Sequence, residues 1–424
     1  MSDEMPEALV ACHECDLLHR REPLPPGARA DCDRCGALLY RHVPNGNDHA
    51  LAWALTAGVL LIIANSFPFL GMKIGGLVEQ NRLWSGARAL YELGMGELGL
   101  LVFLTSVVFP FVLVAAMLYL LIPARFGRMP PGMGPVFRVL RALEPWAMVG
   151  VFLLGAFIAI VKLQDMATVL PGIALYAFAA ALIALSAARA SFDAERLWAR
   201  SAQRSPTADE LAPGERLLNC HACGLLVRPA HGHEACPRCG AGLHHRKENS
   251  IARTWALVLS AAILMVPAQI YPVMTVRQLG SGEPSTILSG VQQLVHHGLY
   301  GLAAIVFIAS LVVPIAKLIV LVVLLRTVQS RSAWRPRDRT LLYRITEVVG
   351  AWSMVDVFLV GLLSGLVSLD LLASIEPGIG ASFFGAVVVL TMFAAHSFDP
   401  RLIWDHAVDD AAPAAHADAR GASA

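Results

Sequence analysis

Cys12-His13-Glu14-Cys15 and Cys32-Asp33-Arg34-Cys35 form one pair of cysteine turns, and the motifs CHAC at 220–223 and CPRC at 236–239 form a second. Together they contain all eight cysteines of the 424-residue chain. Each turn presents two thiolates to one ion, and the second turn of a pair completes a tetrahedron. The spacing therefore predicts two zinc ribbons, each holding one structural Zn²⁺ ion. The predicted ligands are Cys12, Cys15, Cys32 and Cys35 in ribbon 1, and Cys220, Cys223, Cys236 and Cys239 in ribbon 2.

Other interpretations of the cysteine motifs stay open. His13, His221 and His233 lie near the motifs and could replace a cysteine, and iron could replace zinc. The cysteines could also form disulfides or a thiol exchanger, but no strand–helix pattern of a thioredoxin-like fold surrounds either motif. The ribbons are moreover expected in the cytoplasm, where disulfides are disfavoured.

Long apolar runs follow each cysteine module. The chain is 56% hydrophobic and 15% charged, which is not the composition of an ordinary soluble protein. Each run approaches the roughly 20 apolar residues that span a bilayer, where helices satisfy their own backbone hydrogen bonds. We therefore predict an all-α polytopic membrane protein with two tandem units of four helices. The predicted helices lie at about 50–70, 98–122, 143–164, 168–190, 251–274, 298–326, 342–367 and 376–397.

The same runs predict the domain boundaries. A ribbon precedes each unit of four helices, and the tail is rich in alanine and aspartate, a composition typical of disorder. The predicted domains are ribbon 1 at 1–49, the first membrane unit at 50–190, a linker with ribbon 2 at 191–249, the second membrane unit at 250–404 and a disordered tail at 405–424.

Landmark residues recur at a constant spacing and indicate that one unit is written twice. Pairs 204 residues apart are Pro68 and Pro272, Gly94 and Gly298, and Pro110 and Pro314. Pairs 206 residues apart are Trp146 and Trp352, Pro171 and Pro377, and Asp193 and Asp399. We call residues related by these spacings repeat counterparts.

The basic residues predict the orientation in the membrane. The loops at 123–141 and 326–344 are strongly basic, whereas those at 71–97 and 275–297 are not. The positive-inside rule then places both ribbons and both termini in the cytoplasm. Because each unit has an even number of helices, the two units point the same way, related by a pseudo-twofold axis along the membrane normal.

Polar residues inside the predicted helices are the candidate site residues, because such groups are costly in lipid and usually face a bundle interior or a wet cavity. Lys162 and Asp165 share a helical face at the end of the third helix. They could equally form a salt-bridged end cap at the extracytoplasmic interface. The candidates for a lipid or proton pathway are Lys162, Asp165, Lys317, Ser310, Ser353, Asp356 and Thr391.

A family resemblance rests on three of these features. Two cysteine modules that each precede four helices, the dipeptides Phe67-Pro68 and Tyr271-Pro272, and the motif Pro314-x-x-Lys317 resemble the paraquat-inducible protein A (PqiA/LetA) family over about residues 10–400. The resemblance implies an inner-membrane protein of a Gram-negative bacterium that acts with a periplasm-spanning MCE-domain protein. It implies a subunit that passes phospholipid between the bilayer and the MCE tunnel.

No enzyme activity is expected, because no catalytic triad or open metal site can be assembled from these residues. The sequence also contains no Gly-x-x-x-x-Gly-Lys-Ser/Thr loop for a nucleotide, so energy would come from a proton gradient, a partner or lipid flow. Two other functions stay open. One is a zinc- or thiol-dependent membrane stress or redox sensor, and the other is an assembly scaffold with no pathway of its own.

Overall fold

Eight helices of the computed structural model are long and apolar enough to cross a membrane, which confirms the predicted fold class. These spans are Gly46–Ser66, Gly96–Arg125, Met133–Val161, Ile173–Ser191, Ser250–Ile270, Tyr300–Gln329, Pro336–Gly365 and Ile379–Ser397. The structure describes residues 8–74, 77–163, 168–199, 201–212, 215, 217–229, 235–278, 281–296, 298–366, 368–369 and 373–407.

The helices of the two units correspond in order, except that a 3-10 turn, Pro400–Ile403, stands in the second unit where the first has the short helix Ala194–Trp198. Those of the first unit are α1 (Gly46–Ser66), α2 (Ser85–Glu92), α3 (Gly96–Phe103), α4 (Phe109–Arg125), α5 (Met133–Leu143), α6 (Val149–Leu163), α7 (Ile173–Ser191) and α8 (Ala194–Trp198). Those of the second unit are α9 (Ser250–Ile270), α10 (Ile287–His296), α11 (Tyr300–Phe307), α12 (Val313–Gln329), α13 (Pro336–Gly350), α14 (Val355–Leu366) and α15 (Ile379–Ser397). The repeat seen in the sequence is therefore a repeat in structure.

Local sequence explains where several helices begin, end and break. Asn45 and Asn249 precede α1 and α9 in the same left-handed conformation, which asparagine tolerates better than most residues. Each of these helices ends two residues before a proline, which cannot continue a helical ladder. A π-helical turn joins α3 to α4 at Leu104–Val108 and α11 to α12 at Ile308–Val312. In both cases a proline follows the π turn in the first turn of the next helix.

Two small antiparallel sheets are formed by loops that connect the membrane helices, and neither was predicted from the sequence. The strands of the chain are β1 (Leu9–Ala11), β2 (Leu18–Arg20), β3 (Arg29–Asp31), β4 (Leu38–Arg41), β5 (Leu70–Ile74), β6 (Leu77–Asn81), β7 (Thr168–Pro171), β8 (Leu218–Asn219), β9 (Leu226–Val227), β10 (Met274–Gln278), β11 (Ser281–Ser285), β12 (Ser368–Leu369) and β13 (Ala373–Pro377). The strand orders are β6-β5-β7 in the first unit and β11-β10-β13-β12 in the second. Each sheet thus ties the loop after the first membrane helix to the loop before the fourth.

Small residues form the closest helix pair of the first unit. Helix α1 packs along α7, and the buried positions of both helices are mostly alanine. Small side chains let helix backbones approach closely in lipid, where burial of apolar surface does not drive association. The buried alanines are Ala50, Ala54, Ala57 and Ala64 on α1, and Ala174, Ala177, Ala181, Ala184 and Ala188 on α7.

Glycines bring the two units into contact at α14. A Cβ atom added at Gly86 on α2 would lie 2.5 Å from the carbonyl oxygen of Gly361 on α14. One added at Gly365 would lie 2.9 Å from the Cα atom of Gly86. On the other side of α14, Phe358 meets Phe152 of α6 with ring centroids 5.2 Å apart. Helix α14 is therefore held between two helices of the first unit.

In the second unit, the glycine that corresponds to Gly86 makes no such close contact with a neighbouring helix. Gly290 on α10 is the repeat counterpart of Gly86, but the nearest atom to a Cβ added there is the Ser285 hydroxyl, 4.0 Å away. Helices α10 and α11 instead bury a small cluster of their own around Val291, Leu294 and Ala303. The pseudosymmetry of the molecule is broken at this hairpin.

Candidate functional site: two cysteine centres and a buried polar cluster

The four cysteine sulfurs of each ribbon converge on one point, within 4.8 Å of one another. A zinc ion with Zn–S bonds of about 2.3 Å holds its sulfurs about 3.8 Å apart, so each quartet has the dimensions for one tetrahedral ion. All eight cysteines are free, so the described structure contains no disulfide. The Sγ–Sγ distances are 3.5 Å for Cys12–Cys35, 3.5 Å for Cys15–Cys32, 3.5 Å for Cys220–Cys239 and 3.7 Å for Cys223–Cys236.

Backbone turns position these sulfurs. The residue after the second cysteine of each turn donates its N–H to the carbonyl of the first, and it has a positive φ. Three of these residues are glycines, which adopt this conformation without steric cost. The donors are Asp16, Gly36, Gly224 and Gly240.

The nearby histidines do not replace a cysteine in either quartet as described. His13 and His221 are exposed, and His233 lies outside the described residues. A histidine outside the cysteine turns, His19, does reach ribbon 1, since its Nε2 atom lies 3.3 Å from the Sγ atom of Cys32; it was not predicted from the sequence. A ring N–H in this position would donate to a thiolate and stabilise its charge.

Ribbon 2 docks on the first membrane unit, which precedes it in the chain. Arg138 on α5 donates from Nη1 to the carbonyl oxygen of Gly240 at 2.6 Å. A Cβ atom added at Gly134 would lie 2.8 Å from the carbonyl oxygen of Cys239, so this glycine permits a close approach. Arg238 lies over the ring of Trp198, with Cζ 5.1 Å from the centroid.

Ribbon 1 docks its cysteine turns on the second membrane unit, although the first unit follows it in the chain. Arg344 on α13 donates from Nε and Nη2 to the two carboxylate oxygens of Glu14, at 3.0 and 2.5 Å. Arg34 lies over the ring of Trp404, with Cζ 4.5 Å from the centroid. Arg138 and Arg344 are repeat counterparts, so both junctions use the same helix position. The ribbons are therefore exchanged between the units.

A buried lysine marks a second candidate site in the second unit. Lys317 on α12 is 3% exposed and donates from Nζ to Thr391 Oγ1 on α15 at 2.9 Å. Its Nζ atom also lies 3.5 Å from the carbonyl oxygen of Gly350 at the end of α13. The structure therefore brings two predicted site residues together. Gly350 was not predicted from the sequence; its lack of a side chain leaves room for the lysine.

Three further predicted residues are buried on neighbouring segments. Ser310 lies on the π-helical turn, and its hydroxyl donates to the carbonyl of Val306 at 2.6 Å. That turn packs against the 3-10 turn Ala351–Met354, which carries Ser353, and against α14, which carries Asp356. Ser353 and Asp356 are both buried.

A narrow apolar cleft of about 40 Å³ adjoins this polar cluster. It lies between α6, α10, α11 and α14, where the second unit lacks the glycine contact of the first. Asp356 forms part of its wall. The apolar residues of the wall include Ile158, Ile287, Leu294, Leu302, Val306 and Leu359.

The first unit keeps one of these polar residues, since Ser106 is the buried repeat counterpart of Ser310 and donates to the carbonyl of Val102 at 2.6 Å, but the other positions are apolar. The repeat counterpart of Lys317 is Leu113, and that of Thr391 is Leu185, both buried. Ala147 and Gly150 stand at the positions of Ser353 and Asp356. A position-by-position comparison of the two repeats therefore distinguishes the polar cluster from ordinary helix packing.

Lys162 and Asp165 are not brought to this cluster by anything that the structure describes. The backbone of Lys162 belongs to α6, but its side chain and all of Asp165 lie outside the described residues. Their predicted role in a pathway stays a prediction.

The sequence profile of the family described as "Paraquat-inducible protein A" matches residues 48–202 and 251–408. The chain belongs to the paraquat-inducible protein A family. The two matched stretches correspond to the two membrane units, and the exchanged ribbons precede them.

Curated relatives of this family match nearly the whole chain. "Intermembrane transport protein PqiA" of Escherichia coli K12 is 33% identical, covering 93% of this chain and 95% of the relative. "Lipophilic envelope-spanning tunnel protein A" of the same organism is 30% identical, covering 96% and 93%. "Probable intermembrane transport protein" of Haemophilus influenzae is 27% identical, covering 94% and 96%. No solved structure matches the chain.

Proposed function

We propose that this member of the paraquat-inducible protein A family is the inner-membrane subunit of an MCE-type lipid transport system. It passes phospholipid between the inner membrane and a periplasm-spanning MCE-protein tunnel. Relatives named for intermembrane transport and for an envelope-spanning tunnel support a role in moving lipids across the envelope. The eight apolar helices support its location in a membrane.

The observation that carries this proposal is the apolar cleft beside the buried polar cluster. An acyl chain needs an apolar path, and a phosphate headgroup needs polar partners in a region where lipid supplies none. The second unit offers both within one group of helices, since Asp356 belongs to the cleft wall and Lys317 lies on the adjacent α12. Lys317, a point charge, is suited to bind a phosphate or to carry a proton.

Two expectations from the sequence complete the proposal. Each ribbon holds a structural Zn²⁺ through its four cysteines, which leaves no open coordination position for catalysis. Both ribbons and both termini lie in the cytoplasm, in keeping with the basic loops. Lys162 and Asp165 are proposed to lie along the same lipid or proton pathway.

Photo-crosslinking from the cleft tests the proposal. A photoreactive amino acid at Leu294 should label phospholipid in membranes more strongly than one at Leu90, its buried repeat counterpart packed toward Gly361. It should also exceed one at Ile263, an exposed position on α9 that reports ordinary lipid contact. Labelling at Leu294 no stronger than at Ile263 would contradict a lipid path through the cleft. Co-purification with an MCE-domain protein tests the partner separately.

A further inference from the structure

The two junctions between a ribbon and a membrane unit differ in how closely side chains pack across them. Ribbon 2 leaves a cleft of about 500 Å³ against α5, with Arg138, Trp198 and Arg238 in its wall. At the other junction Arg337 donates to the carbonyl oxygens of Asp33 and Arg34 of ribbon 1, each at 2.7 Å. Its repeat counterpart in the first unit is a proline at position 131. The open cleft is therefore a place where side chains of the second unit have been lost from the first.

One loss removes the acceptor for an arginine. At the ribbon 1 junction Arg344 is neutralised by the carboxylate of Glu14. Its counterpart Arg138 faces ribbon 2, in which Ala222 holds the position of Glu14 in the cysteine turn. Arg138 donates to a backbone carbonyl, but the described residues place no carboxylate within ion-pair distance of it. Its charge is left without a counter-charge from the ribbon.

The other loss removes the acceptor for a tryptophan. At the ribbon 1 junction Trp404 donates from Nε1 to Thr340 Oγ1 at 3.0 Å. The counterparts of these two residues are Trp198 and Gly134, and both line the cleft. Trp198 is 4% exposed, and its Nε1 atom has no hydrogen-bond partner among the described residues. Gly134 stands at the place of the acceptor Thr340, so it offers no side-chain partner to the indole N–H of Trp198, which is buried.

The cleft thus keeps the donors of the filled junction and lacks its acceptors. Arg238 adds a second guanidinium at the wall, where it also donates from Nε to the Sγ atom of Cys223 at 3.4 Å. Helix α5 begins at the cleft with Gly132, which supplies no side-chain cap for the first-turn N–H groups. The two guanidiniums have backbone or sulfur acceptors, but the described residues place no carboxylate within ion-pair distance of either. Their uncompensated charge favours an anion, and arginine with a helix start suits phosphate.

We propose that this cleft binds the phosphate of an anionic phospholipid headgroup, held by Arg138 and Arg238. The cleft lies at the start of α5, where a membrane-spanning helix begins, and headgroup phosphates lie at that level of a bilayer. The site goes beyond the proposed transport pathway. It belongs to the ribbon end of the first unit, whereas the polar cluster lies within the second, so either can fail without the other.

The test uses the full-length, zinc-loaded protein in an uncharged detergent. Binding of dioctanoyl phosphatidylglycerol is measured for the wild type, Ala222→Glu and Ala222→Gln, with dioctanoylglycerol and inorganic phosphate as comparison ligands. Ala222→Glu copies the turn of ribbon 1, so its carboxylate should neutralise Arg138 and weaken phosphatidylglycerol binding about tenfold, as expected for one charge-assisted contact. Ala222→Gln has nearly the same shape without the charge and should bind like the wild type.

Several results would overturn the site. Equal affinity of the wild type and Ala222→Glu for phosphatidylglycerol would show that the cleft does not bind the headgroup. Equal binding of dioctanoylglycerol would show that the phosphate is not recognised, and tighter binding of inorganic phosphate than of the lipid would show an adventitious ion only. The zinc content of each variant is measured as a control. Should Ala222→Glu lose zinc, Arg138→Gln, which leaves the ribbon sequence intact, must show the same loss of affinity.

Discussion

Lys317 is the residue that sets the second unit apart, since it is a buried cation between Thr391 and Gly350 in a helical bundle. Replacing a buried charge with an apolar side chain of similar length is often neutral or stabilising, because the cost of dehydrating the charge disappears. We expect Lys317→Met to keep or raise the melting temperature in detergent while abolishing transport. The measurements are thermal unfolding and complementation of an envelope defect.

A matched control for this variant is Leu113→Met at the repeat counterpart of Lys317, which should leave both measurements unchanged. Retained transport in Lys317→Met together with a large drop in melting temperature would assign Lys317 a structural role only.

The surroundings of Asp399 predict how the stability of the folded protein depends on pH. Its side chain is 1% exposed; burial opposes its charge, but hydrogen bonds from Arg401 outweigh burial and hold the pKa of Asp399 below its ordinary value of 3.8. A depressed pKa stabilises the folded state above the unfolded pKa, and this contribution is lost as the pH falls through the folded pKa. Thermal unfolding of wild type and Asp399→Asn should therefore differ at neutral pH and converge below about pH 4. A constant gap between the two curves would contradict this.

At the scale of the elements, the contact between α2 and α14 depends on glycine. A methyl group at Gly86 would clash with the backbone of Gly361, whereas one at Gly290 would make only an ordinary van der Waals contact with Ser285. We expect Gly86→Ala to cost about 1–3 kcal/mol, the usual penalty for overpacking. Gly290→Ala should be neutral or slightly stabilising, because alanine favours a helix. Chemical unfolding of both variants makes the comparison, and equal effects would show that α2 is not pinned to α14.

The elements also show what local sequence could predict. The eight membrane helices and two cysteine quartets were predicted, because apolar length and cysteine spacing act over short stretches. The basic loop predicted at 123–141 contains the helix α5, whose Arg138 contacts ribbon 2. The pairings of β5 with β7 and of β10 with β13 could not be predicted, because the partner strands lie about a hundred residues apart. The polar cluster was predicted in part, through Lys317 and Thr391, but the carbonyl of Gly350 leaves no mark in a sequence.

For the whole molecule, the exchanged ribbons predict a long-range effect of metal loss. Zinc supplies most of the folding free energy of such a ribbon, about 10–16 kcal/mol in comparable peptides. Cys32→Ser with Cys35→Ser should therefore remove one zinc and the support of α13, not of α5. Hydrogen exchange should rise in Pro336–Gly350 and stay unchanged in Met133–Leu143.

The converse variant, Cys236→Ser with Cys239→Ser, serves as the control. It should loosen Met133–Leu143 and spare Pro336–Gly350, because ribbon 2 contacts α5. If each pair of substitutions loosened the unit that follows it in the chain, the exchange of ribbons would be wrong.

The exchange has a consequence for how such a chain could arise. A gene encoding one ribbon and one bundle would make a protein whose ribbon can dock only on a second copy of that protein. Two such copies would complete each other as a swapped homodimer, and duplication with fusion of the gene would turn that pairing into a single polypeptide. Fusion would also leave each copy free to differ, as the buried Leu113 and Leu185 of one unit differ from Lys317 and Thr391 of the other.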